Sequence, residues 1–464
     1  MKKLFYITIS FFSILLNISC SSDYDETTVK SIPNLSERYK TGGETTVFEN
    51  GFFSFDNPAS NLNTQNLETH LAGDAQFEQA FVTAPAITNP GLGAQFNNTS
   101  CVSCHPKDGR ASFPSDINSL SGFFLRTSIP GTNPHGGPNP TPGFGEQLQN
   151  QAVYGVTPEV KFQVDYQDMP VTFKDGTTVT LKKPIYSIAE SYIDFPSNAM
   201  LSPRIGPPVF GLGLLEAITE EDIIEKQDIN DADADGISGK ANYVWDASSQ
   251  SIKLGRFGWK ANTPTILIQS AGAYNNDIGI TNYIFSQESS FGQTNGEQNN
   301  NDDPEIANDI LDQVTLYCRT LAVPAARNLE EPEVVRGYEL FDKAKCSSCH
   351  TPKHVTGNFT GIPAISNQTI YPYTDMLLHD MGEGLADGRP DFLATGKEWK
   401  TRPLWGIGLT RIVNGHTNFL HDGRAKNIEE AILWHGGEAE NSKNMYTNFS
   451  KSDRDALLAF INAL

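Results

Sequence analysis

Cys101-Val102-Ser103-Cys104-His105 and Cys346-Ser347-Ser348-Cys349-His350 are two copies of the pattern Cys-x-x-Cys-His, and this pattern decides the fold. Two thiols three residues apart on a helical turn can form thioethers to the two vinyl groups of one haem, and the adjacent histidine can bind its iron. Paired cysteines also occur in zinc sites and redox dithiols, but a histidine after both pairs favours haem. We therefore expect two covalently attached c-type haems with His105 and His350 as iron ligands. Because 245 residues separate the motifs, each haem needs its own domain.

Two of the six cysteines, Cys20 and Cys318, lie outside these motifs. Apolar residues recur at helical spacing over residues 310–321, which predicts an amphipathic helix around Cys318. We expect Cys318 to be a buried free thiol, because one cysteine cannot form an intramolecular disulfide couple.

The N-terminus has the features of an export signal. Lys2 and Lys3 precede an uncharged apolar stretch over residues 4–18, which is shorter than the roughly 20 residues of a membrane span. Ser19 before Cys20 resembles a bacterial lipoprotein cleavage site, and an ordinary cleaved signal is the alternative.

These features predict how the mature chain begins. We expect a signal peptide over residues 1–19, lipidation of Cys20, and a polar, flexible tether over residues 20–70. Acyl chains would anchor a soluble protein without spanning the bilayer. The protein would then be an exported lipoprotein of the periplasm or cell surface. We expect its acyl chains to insert in the outer membrane.

The composition indicates a globular protein with an acidic surface. A chain of 464 residues is longer than a domain with a single hydrophobic core usually is, so we expect at least two domains. Its contents of 19% charged and 38% hydrophobic residues are typical of a folded rather than a disordered protein. The net charge is −21, and removal of residues 1–19 takes two lysines and no acid, which gives −23. Such a surface disfavours nucleic acid and anionic lipid headgroups, and it suits a basic redox partner protein.

The C-terminal segment has the outline of a cytochrome c domain. Pro332, flanked by acidic residues, predicts a helix start just before the second haem motif. Ser452 and Asp455 resemble a capping box at the start of a closing helix with one apolar stripe. We therefore predict a mainly α fold with two cytochrome c-like haem domains. The N-terminal domain, residues 71–325, would have long loops and a large insertion, and the C-terminal domain would span residues 326–464.

Several longer stretches resemble known families. The C-terminal half is similar to the bacterial di-haem cytochrome c peroxidases and to their relatives that mature methylamine dehydrogenase. Over residues 70–464 the chain resembles still more closely the di-haem oxidoreductase family, whose members are grouped with peroxidases and sometimes labelled thiol oxidoreductases. The peroxidase-like stretches are TRPLWGIGLT (401–410), FLHDGR (419–424) and IEEAI (428–432), and the stretches matching the second family are FNNTS (96–100), GLGLLEAI (211–218), RFGWKA (256–261) and HDMGEGLAD (379–387).

The resemblance implies a second iron ligand for the C-terminal haem. In the peroxidases this ligand is a methionine 14 residues after the histidine of His-Asp-Gly; that histidine is His421 here, and the residue 14 places later is His435. A bis-histidine haem would have a lowered potential, because imidazole stabilises ferric iron better than a thioether does. His379 and Met381 are the rival ligands.

The resemblance also implies peroxide chemistry at the N-terminal haem. Gln151 and Glu159 resemble a glutamine and a glutamate that stand over the peroxide-binding face in the peroxidases, although their spacing is two residues shorter. A buried carboxylate with a raised pKa could move the proton of hydrogen peroxide. An exposed loop is the alternative location for Glu159, and His135 is a candidate cap for the resting iron.

We therefore expect a di-haem oxidoreductase of the peroxidase type. Electrons would enter at the C-terminal haem and reach hydrogen peroxide or a similar oxidant at the N-terminal haem. Trp259, Trp405 or Trp434 could bridge the haems. A non-enzymatic electron carrier and an oxidase acting on a partner protein are the alternatives, and fold resemblance alone does not decide among them.

An acidic loop suggests calcium as a further cofactor. Asp231, Asp233 and Asp235 place oxygen ligands at alternate positions before Gly236, as calcium loops do. The twelfth position is Asn242 rather than glutamate, so the loop is not a complete EF-hand, and a plain acidic turn is the alternative.

The two motifs predict the mass of the mature protein. Mass spectrometry of the chain, matured in a host that attaches c-type haem, should show two added haem masses. A Cys346→Ser/Cys349→Ser variant should show one. A wild-type protein with one added haem or none would contradict the interpretation of the motifs.

Overall fold

The computed structural model describes residues 34–296 and 303–464, and residues 34–464 form one compact unit. The predicted signal peptide, Cys20 and the first part of the predicted tether lie outside the described residues. From residue 34 onward that segment is packed on the unit, and Leu35, Phe55 and Ala59 are buried. In the part of the chain that the structure describes, no helix combines the length and apolar character needed to span a bilayer.

The prediction of a mainly α fold is wrong, because the structure is 29% helix and 20% strand. The helices are α1 Thr64–Phe77, α2 Cys101–Cys104, α3 Leu212–Glu216, α4 Glu220–Ile224, α5 Ile266–Ala273, α6 Asn308–Thr320, α7 Pro332–Lys343, α8 Gly382–Leu385, α9 Thr410–Asn414, α10 Ile428–Leu433, α11 Glu440–Asn448 and α12 Lys451–Ala463. The strands are β1 Gln95–Phe96, β2 Phe123–Thr132, β3 Pro138–Asn139, β4 Gln147–Leu148, β5 Gln151–Ala152, β6 Val160–Thr172, β7 Thr178–Ser191, β8 Met200–Ile205, β9 Tyr243–Asp246, β10 Ser251–Leu254, β11 His354–Val355, β12 Thr369–Ile370, β13 Leu378–Asp380 and β14 Glu398–Lys400.

Most of the unexpected strand lies in the predicted insertion. Strands β6 and β7 form a long antiparallel hairpin, whose turn contains Asp175 and Gly176, with φ of +84° at the glycine. Asp-Gly between two runs rich in β-branched and aromatic residues is a hairpin signal that outweighs the cytochrome pattern there. The β2 strand pairs with β3, β4 and β8 in a four-stranded sheet.

The hairpin connects the two halves of the unit. Near its open end, Phe162 packs in a cluster with Phe123 of β2. At its turn, Phe173 packs with helices of the C-terminal half, and Asp175 accepts a hydrogen bond of 2.9 Å from Arg454 of α12.

Each haem motif is preceded by a helix that crosses a later helix at a glycine. Gly73 of α1 packs on α6, where a Cβ would lie 2.2 Å from the carbonyl oxygen of Gln313. Gly337 of α7 packs on α12, where a Cβ would lie 2.0 Å from the carbonyl oxygen of Ala456. The helix–motif–closing helix outline therefore occurs twice, and the sheet and the hairpin lie between the first motif and α6. The predicted domain boundary at residues 325 and 326 falls in the connection between α6 and α7.

The helices predicted around Cys318, at Pro332 and at the C-terminus are confirmed as α6, α7 and α12. The cap of α12 differs from the prediction, because Ser450 rather than Ser452 accepts the hydrogen bond of the helix start, from the backbone N–H of Asp453 at 3.2 Å. Both serines are followed three residues later by an aspartate, so the sequence pattern fits either position.

The close crossing of α7 and α12 generates a prediction of stability. Gly337→Val should lower the free energy of unfolding by about 3 kcal/mol, because the added side chain would overlap backbone atoms of α12. The measurement is the urea midpoint of the haem-loaded protein.

The matched control introduces valine on the exposed face of the same helix. Glu339→Val should cost only about 0.5 kcal/mol of helix propensity. Equal losses for the two variants would show that the crossing tolerates a side chain.

Candidate haem sites

The first haem motif forms helix α2 and ends in a half-buried histidine of fixed orientation. Ser100 caps the helix by accepting a hydrogen bond of 3.3 Å from the backbone N–H of Ser103. Nδ1 of His105 lies 2.7 Å from the carbonyl oxygen of Pro207, so Nδ1 must donate and Nε2 keeps its lone pair. Burial lowers the pKa of His105 to about 4, so the ring is neutral, as an iron ligand must be.

The second haem motif repeats this arrangement. Residues Cys346–Ser348 form a 3₁₀ turn, and Nδ1 of His350 donates to the carbonyl oxygen of Tyr373 at 2.9 Å. Burial lowers the pKa of His350 to about 4. In both motifs a backbone carbonyl fixes the ring, as carbonyls do behind metal-binding histidines.

A cavity of about 200 Å³ adjoins the second motif. Cys346, Cys349 and His350 line it together with His435, whose Nδ1 donates to the carbonyl oxygen of Ala431 at 2.7 Å. Burial lowers the pKa of His435, so its free Nε2 is also a potential iron ligand. The rest of the lining is mainly apolar and includes Phe341, Leu385, Leu404, Ile407, Ile428, Ile432, Leu457 and Ile461. His421 lines the same cavity, burial lowers its pKa to about 3, and its Nε2 has no hydrogen-bond partner. A mainly apolar pocket with several neutral imidazoles fits a haem held by two histidines.

The rival ligand His379 has both ring nitrogens occupied. Nε2 lies 2.8 Å from Asp375 and Nδ1 lies 2.6 Å from Glu438. Burial opposes protonation, but the carboxylate of Asp375 outweighs it and raises the pKa of His379 well above its usual value. His379 is therefore held as a cation in the lining of the cavity, and Met381, which also lines it, remains a rival to His435.

A second cavity, of about 140 Å³, adjoins the first motif. Cys101, Cys104 and His105 line it, and among the described residues of this lining there is no second histidine and no methionine. Cys318 also lines it and is buried, as predicted for the leftover thiol. The polar lining residues include Arg126, Arg204, Asn262, Gln269, Asp277 and Asp391.

Comparison with known proteins agrees with this pair of sites. The sequence model of a family described as "Di-haem oxidoreductase, putative peroxidase" matches residues 36–464. The chain belongs to the di-haem oxidoreductase family. No curated protein matches the chain. Among solved structures, Kuenenia stuttgartiensis hydrazine synthase pressurised with xenon aligns over 98% of this chain and 100% of its own, with 12% identity and a TM-score of 0.34.

Two predicted site residues of this di-haem oxidoreductase lie away from the N-terminal cavity. Glu159 is fully buried, but its carboxylate accepts hydrogen bonds from the backbone of Gln149 at 2.7 Å and from Gln293 at 2.8 Å. Burial raises the pKa of Glu159 to about 8. Gln151 donates to the carbonyl oxygen of Asn118. Neither residue lines the cavity, so the structure does not bring them to the first haem motif.

His135, the candidate cap of the N-terminal iron, is also elsewhere. Its ring stacks on Trp245 with the ring centroids 4.0 Å apart, and it is exposed. It lines neither cavity of the di-haem oxidoreductase.

Asp277 is a cavity residue that the sequence analysis missed. It lies in a π-helical turn, Tyr274–Ile278, that follows α5, and such turns are frequent at functional sites. Its carboxylate accepts a hydrogen bond of 2.5 Å from Gln147. Burial raises the pKa of Asp277. No short-range pattern marks this aspartate in the sequence, because its neighbours in space come from distant segments.

Trp259 is the one bridging candidate that lines both cavities. Its indole N–H donates to the carbonyl oxygen of Ile205 at 2.9 Å. The next residue, Lys260, is fully buried, and its ammonium group lies 2.8 Å from the carboxylate of Asp387. This ion pair joins the RFGWKA and HDMGEGLAD stretches and fixes the backbone that carries Trp259. Trp405 and Trp434 are core residues outside both linings.

The predicted calcium loop brings three aspartates together, but Asp228 takes the place that was predicted for Asp235. Ligand oxygens of Asp228, Asp231 and Asp233 lie within 4.8 Å of one another. Asp235 instead accepts a hydrogen bond of 3.0 Å from the backbone N–H of Ile237 and lies 3.9 Å from Lys345. Calcium binding by this loop stays a prediction.

The second imidazole of the C-terminal cavity generates a spectroscopic prediction. His435→Ala should convert a low-spin signal of this haem to a high-spin signal and raise its potential, because a strong ligand of the ferric iron is lost. Low-temperature electron paramagnetic resonance and a redox titration measure both effects.

The control for this variant is His135→Ala, since His135 is exposed and lines neither cavity. It should leave both haem signals unchanged. An unchanged spectrum in the His435→Ala protein would point to Met381 or His421 as the ligand.

Proposed function

We propose that this protein is an exported, lipid-anchored c-type di-haem oxidoreductase of the peroxidase type. Electrons from a donor protein would enter at the C-terminal haem, and hydrogen peroxide or a similar oxidant would be reduced at the N-terminal haem. The observation that carries the proposal is the unequal supply of free imidazole nitrogens in the two cavities. When bound, the two haems supply the one-electron redox chemistry of iron.

The C-terminal cavity supports an electron-transfer role. His350 and His435 both line it, and each has Nδ1 tied to a backbone carbonyl and Nε2 free. If both histidines held the iron, they would leave it closed to an oxidant. This haem would therefore receive and pass on electrons without binding substrate.

The N-terminal cavity supports a substrate-binding role. His105 is the single histidine among its described lining residues, so a haem held here by His105 would leave its iron open to a small oxidant. Reduction of peroxide needs a group that accepts a proton from one oxygen and returns it to the other. We propose Asp277 for this role, since its carboxylate lines the cavity and Glu159 does not.

The surroundings of Asp277 suit proton transfer. Burial raises its pKa, while the Gln147 side chain and the positive charge of Arg126 oppose that rise. The ionised form is therefore reached at a higher pH than for an ordinary aspartate. Because only the ionised carboxylate accepts a proton, the reaction with peroxide should become faster as pH rises through this pKa.

Trp259 is the proposed connection between the two haems. It lines both cavities, and its indole is fixed by a hydrogen bond of 2.9 Å to Ile205. An aromatic side chain between two redox centres shortens the gap that an electron must cross.

The location and partners of the protein form the remaining part of the proposal. Export and anchoring through Cys20 fit the N-terminal sequence, and haem attachment to Cys-x-x-Cys-His occurs outside the cytoplasm. The net charge of −21 favours a basic electron donor. We also propose calcium as a cofactor of the aspartate loop, and metal analysis of the purified protein tests it.

A comparison of two variants tests the reaction and its proton-transfer residue. Half-reduced wild-type protein is mixed with hydrogen peroxide and its haem absorption bands are followed. Asp277→Asn should slow this reaction by roughly 10²–10⁴-fold, the usual cost of a lost acid–base group. Glu159→Gln is the matched control, because it removes a buried carboxylate with a raised pKa that lies outside the cavity, and it should react at close to the wild-type rate.

Each other outcome has a distinct meaning. Slowing only in the Glu159→Gln protein would restore the assignment implied by the family resemblance. Equal rates in all three proteins would remove Asp277 from the mechanism but keep the enzyme class. No reaction of wild-type protein with peroxide in any redox state would leave an electron carrier or an oxidase of a partner protein.

A further inference from the structure

Two arginine side chains lie over the indole of Trp259, and a lysine is bound to the backbone of Trp259. The guanidinium carbons of Arg402 and Arg110 lie 4.9 Å and 5.7 Å from the indole centroid. The backbone N–H of Lys400 donates to the carbonyl oxygen of Trp259 at 3.0 Å. We call Arg110, Lys400 and Arg402 the cation cluster.

No described carboxylate pairs with the cation cluster. The Nε and Nη1 atoms of Arg110 have no hydrogen-bond partner, although this side chain is only 8% exposed. The ammonium group of Lys400 is buried and donates to the carbonyl oxygen of Arg256 at 2.6 Å, and no salt bridge joins it or Arg402 to any described acid.

Other buried cations nearby are each paired with a carboxylate. Lys260 lies 2.8 Å from Asp387, and Arg389 lies 3.1 Å from Asp391. Burying a charge without a counter-charge is strongly unfavourable. The contrast indicates that the cation cluster is completed by negative charge that the polypeptide itself does not provide.

The pKa values of the cluster also indicate that bound anions would stabilise it. Burial, and then the charge of Arg402, lower the pKa of Arg110 to about 9. Burial, and then the charges of Arg402 and Arg256, lower the pKa of Lys400 well below its usual value. The cations therefore repel one another, and carboxylates among them would relieve that repulsion.

The positions of the three residues identify the source of the anions. Arg110 and Lys400 line the C-terminal cavity, and Arg402 lines both cavities. Each haem carries two propionate carboxylates, and arginine is well suited to bind a carboxylate with two parallel hydrogen bonds.

We propose that the cation cluster is the haem propionate site of this protein. Arg402 binds a propionate of each haem, whereas Arg110 and Lys400 bind propionates of the C-terminal haem only. The proposal depends on the presence of two haems and is independent of the peroxidase reaction, so an electron carrier would have the same site.

The assignment of Arg110 is the least expected part. Arg110 follows His105 by five residues, so it belongs to the N-terminal haem motif in sequence, yet it lines the cavity of the C-terminal haem. The charge of Arg110 should therefore act mainly on the potential of the C-terminal haem, although Arg110 is close in sequence to the motif of the N-terminal haem. A general loosening of the N-terminal segment would instead affect the N-terminal haem first.

The test is a redox titration of both haems in the purified di-haem protein, with electron paramagnetic resonance to separate their signals. A nearby positive charge favours the less positive, reduced haem, so its removal lowers the potential. Arg110→Gln should lower only the potential of the C-terminal haem, and Arg402→Gln should lower both. We expect about a tenfold fall in the reduced-to-oxidised ratio at a fixed potential, which corresponds to 59 mV for a one-electron couple.

Two variants act as controls. Arg402→Lys keeps the charge and should leave both potentials near the wild-type values. Arg336→Gln removes an exposed cation of α7 and should shift neither potential. If Arg402→Gln fails to accumulate as di-haem protein, Arg110→Gln and Arg402→Lys decide the question.

Three results would overturn the proposal. The first is an Arg110→Gln protein whose C-terminal haem potential equals that of Arg336→Gln. The second is an Arg110→Gln protein in which only the N-terminal haem shifts. The third is a folded Arg402→Lys protein in which both potentials fall by as much as we expect for Arg402→Gln.

Discussion

The arrangement of both haem sites depends on one short segment at the end of β8. At residue 205 the backbone N–H donates to the carbonyl oxygen of His421 at 2.8 Å, and the carbonyl oxygen accepts the indole N–H of Trp259 at 2.9 Å. Two residues later the carbonyl oxygen of Pro207 orients His105. Between them, Gly206 packs so closely on the first motif that a Cβ would lie 2.7 Å from the carbonyl oxygen of Cys104. This segment therefore ties the histidine of the first motif, the tryptophan that lines both cavities and the C-terminal half to one strand.

The four-stranded sheet and the hairpin are best understood as the support of that junction. A cytochrome c outline of two crossing helices and a haem motif occurs twice in the chain, with a glycine at each crossing. The residues inserted between the first motif and α6 form the sheet, whose last strand carries the junction, and the hairpin, whose turn binds α12 through Asp175 and Arg454. The insertion thus joins two haem units into one compact body with a defined spacing of their cavities.

The two cavities share a construction and differ in chemistry. In each, a backbone carbonyl occupies Nδ1 of the motif histidine and leaves Nε2 for iron. The C-terminal cavity adds a second such histidine, His435, and a cation beside it, His379. The N-terminal cavity adds instead a half-buried carboxylate, Asp277, whose pKa is raised. One cavity is therefore suited to hold an iron in a closed coordination shell, and the other to leave room for a small molecule and its proton.

The sequence by itself determined those features that depend on short spacings. The two Cys-x-x-Cys-His motifs, the helices α6, α7 and α12, and the family could all be predicted from residues close together in the chain, because side chains three or four apart share one helix face. His435 was identified from its distance to His421, and the structure places it in the expected cavity. The hairpin also had a local signal, Asp175-Gly176, which was outweighed by the helical pattern of the haem motifs.

Only the tertiary structure decided which distant residues share a cavity. Glu159 matched a family pattern but lies outside the N-terminal cavity, and Asp277 matched no pattern but lines it. The sequence offered three candidate tryptophans, and of these three only Trp259 lines both cavities. Arg110 lies next to one haem motif in sequence and lines the cavity of the other. These contacts depend on how the sheet, the hairpin and the two helix pairs pack, and packing between segments a hundred or more residues apart leaves no periodic signal in the sequence.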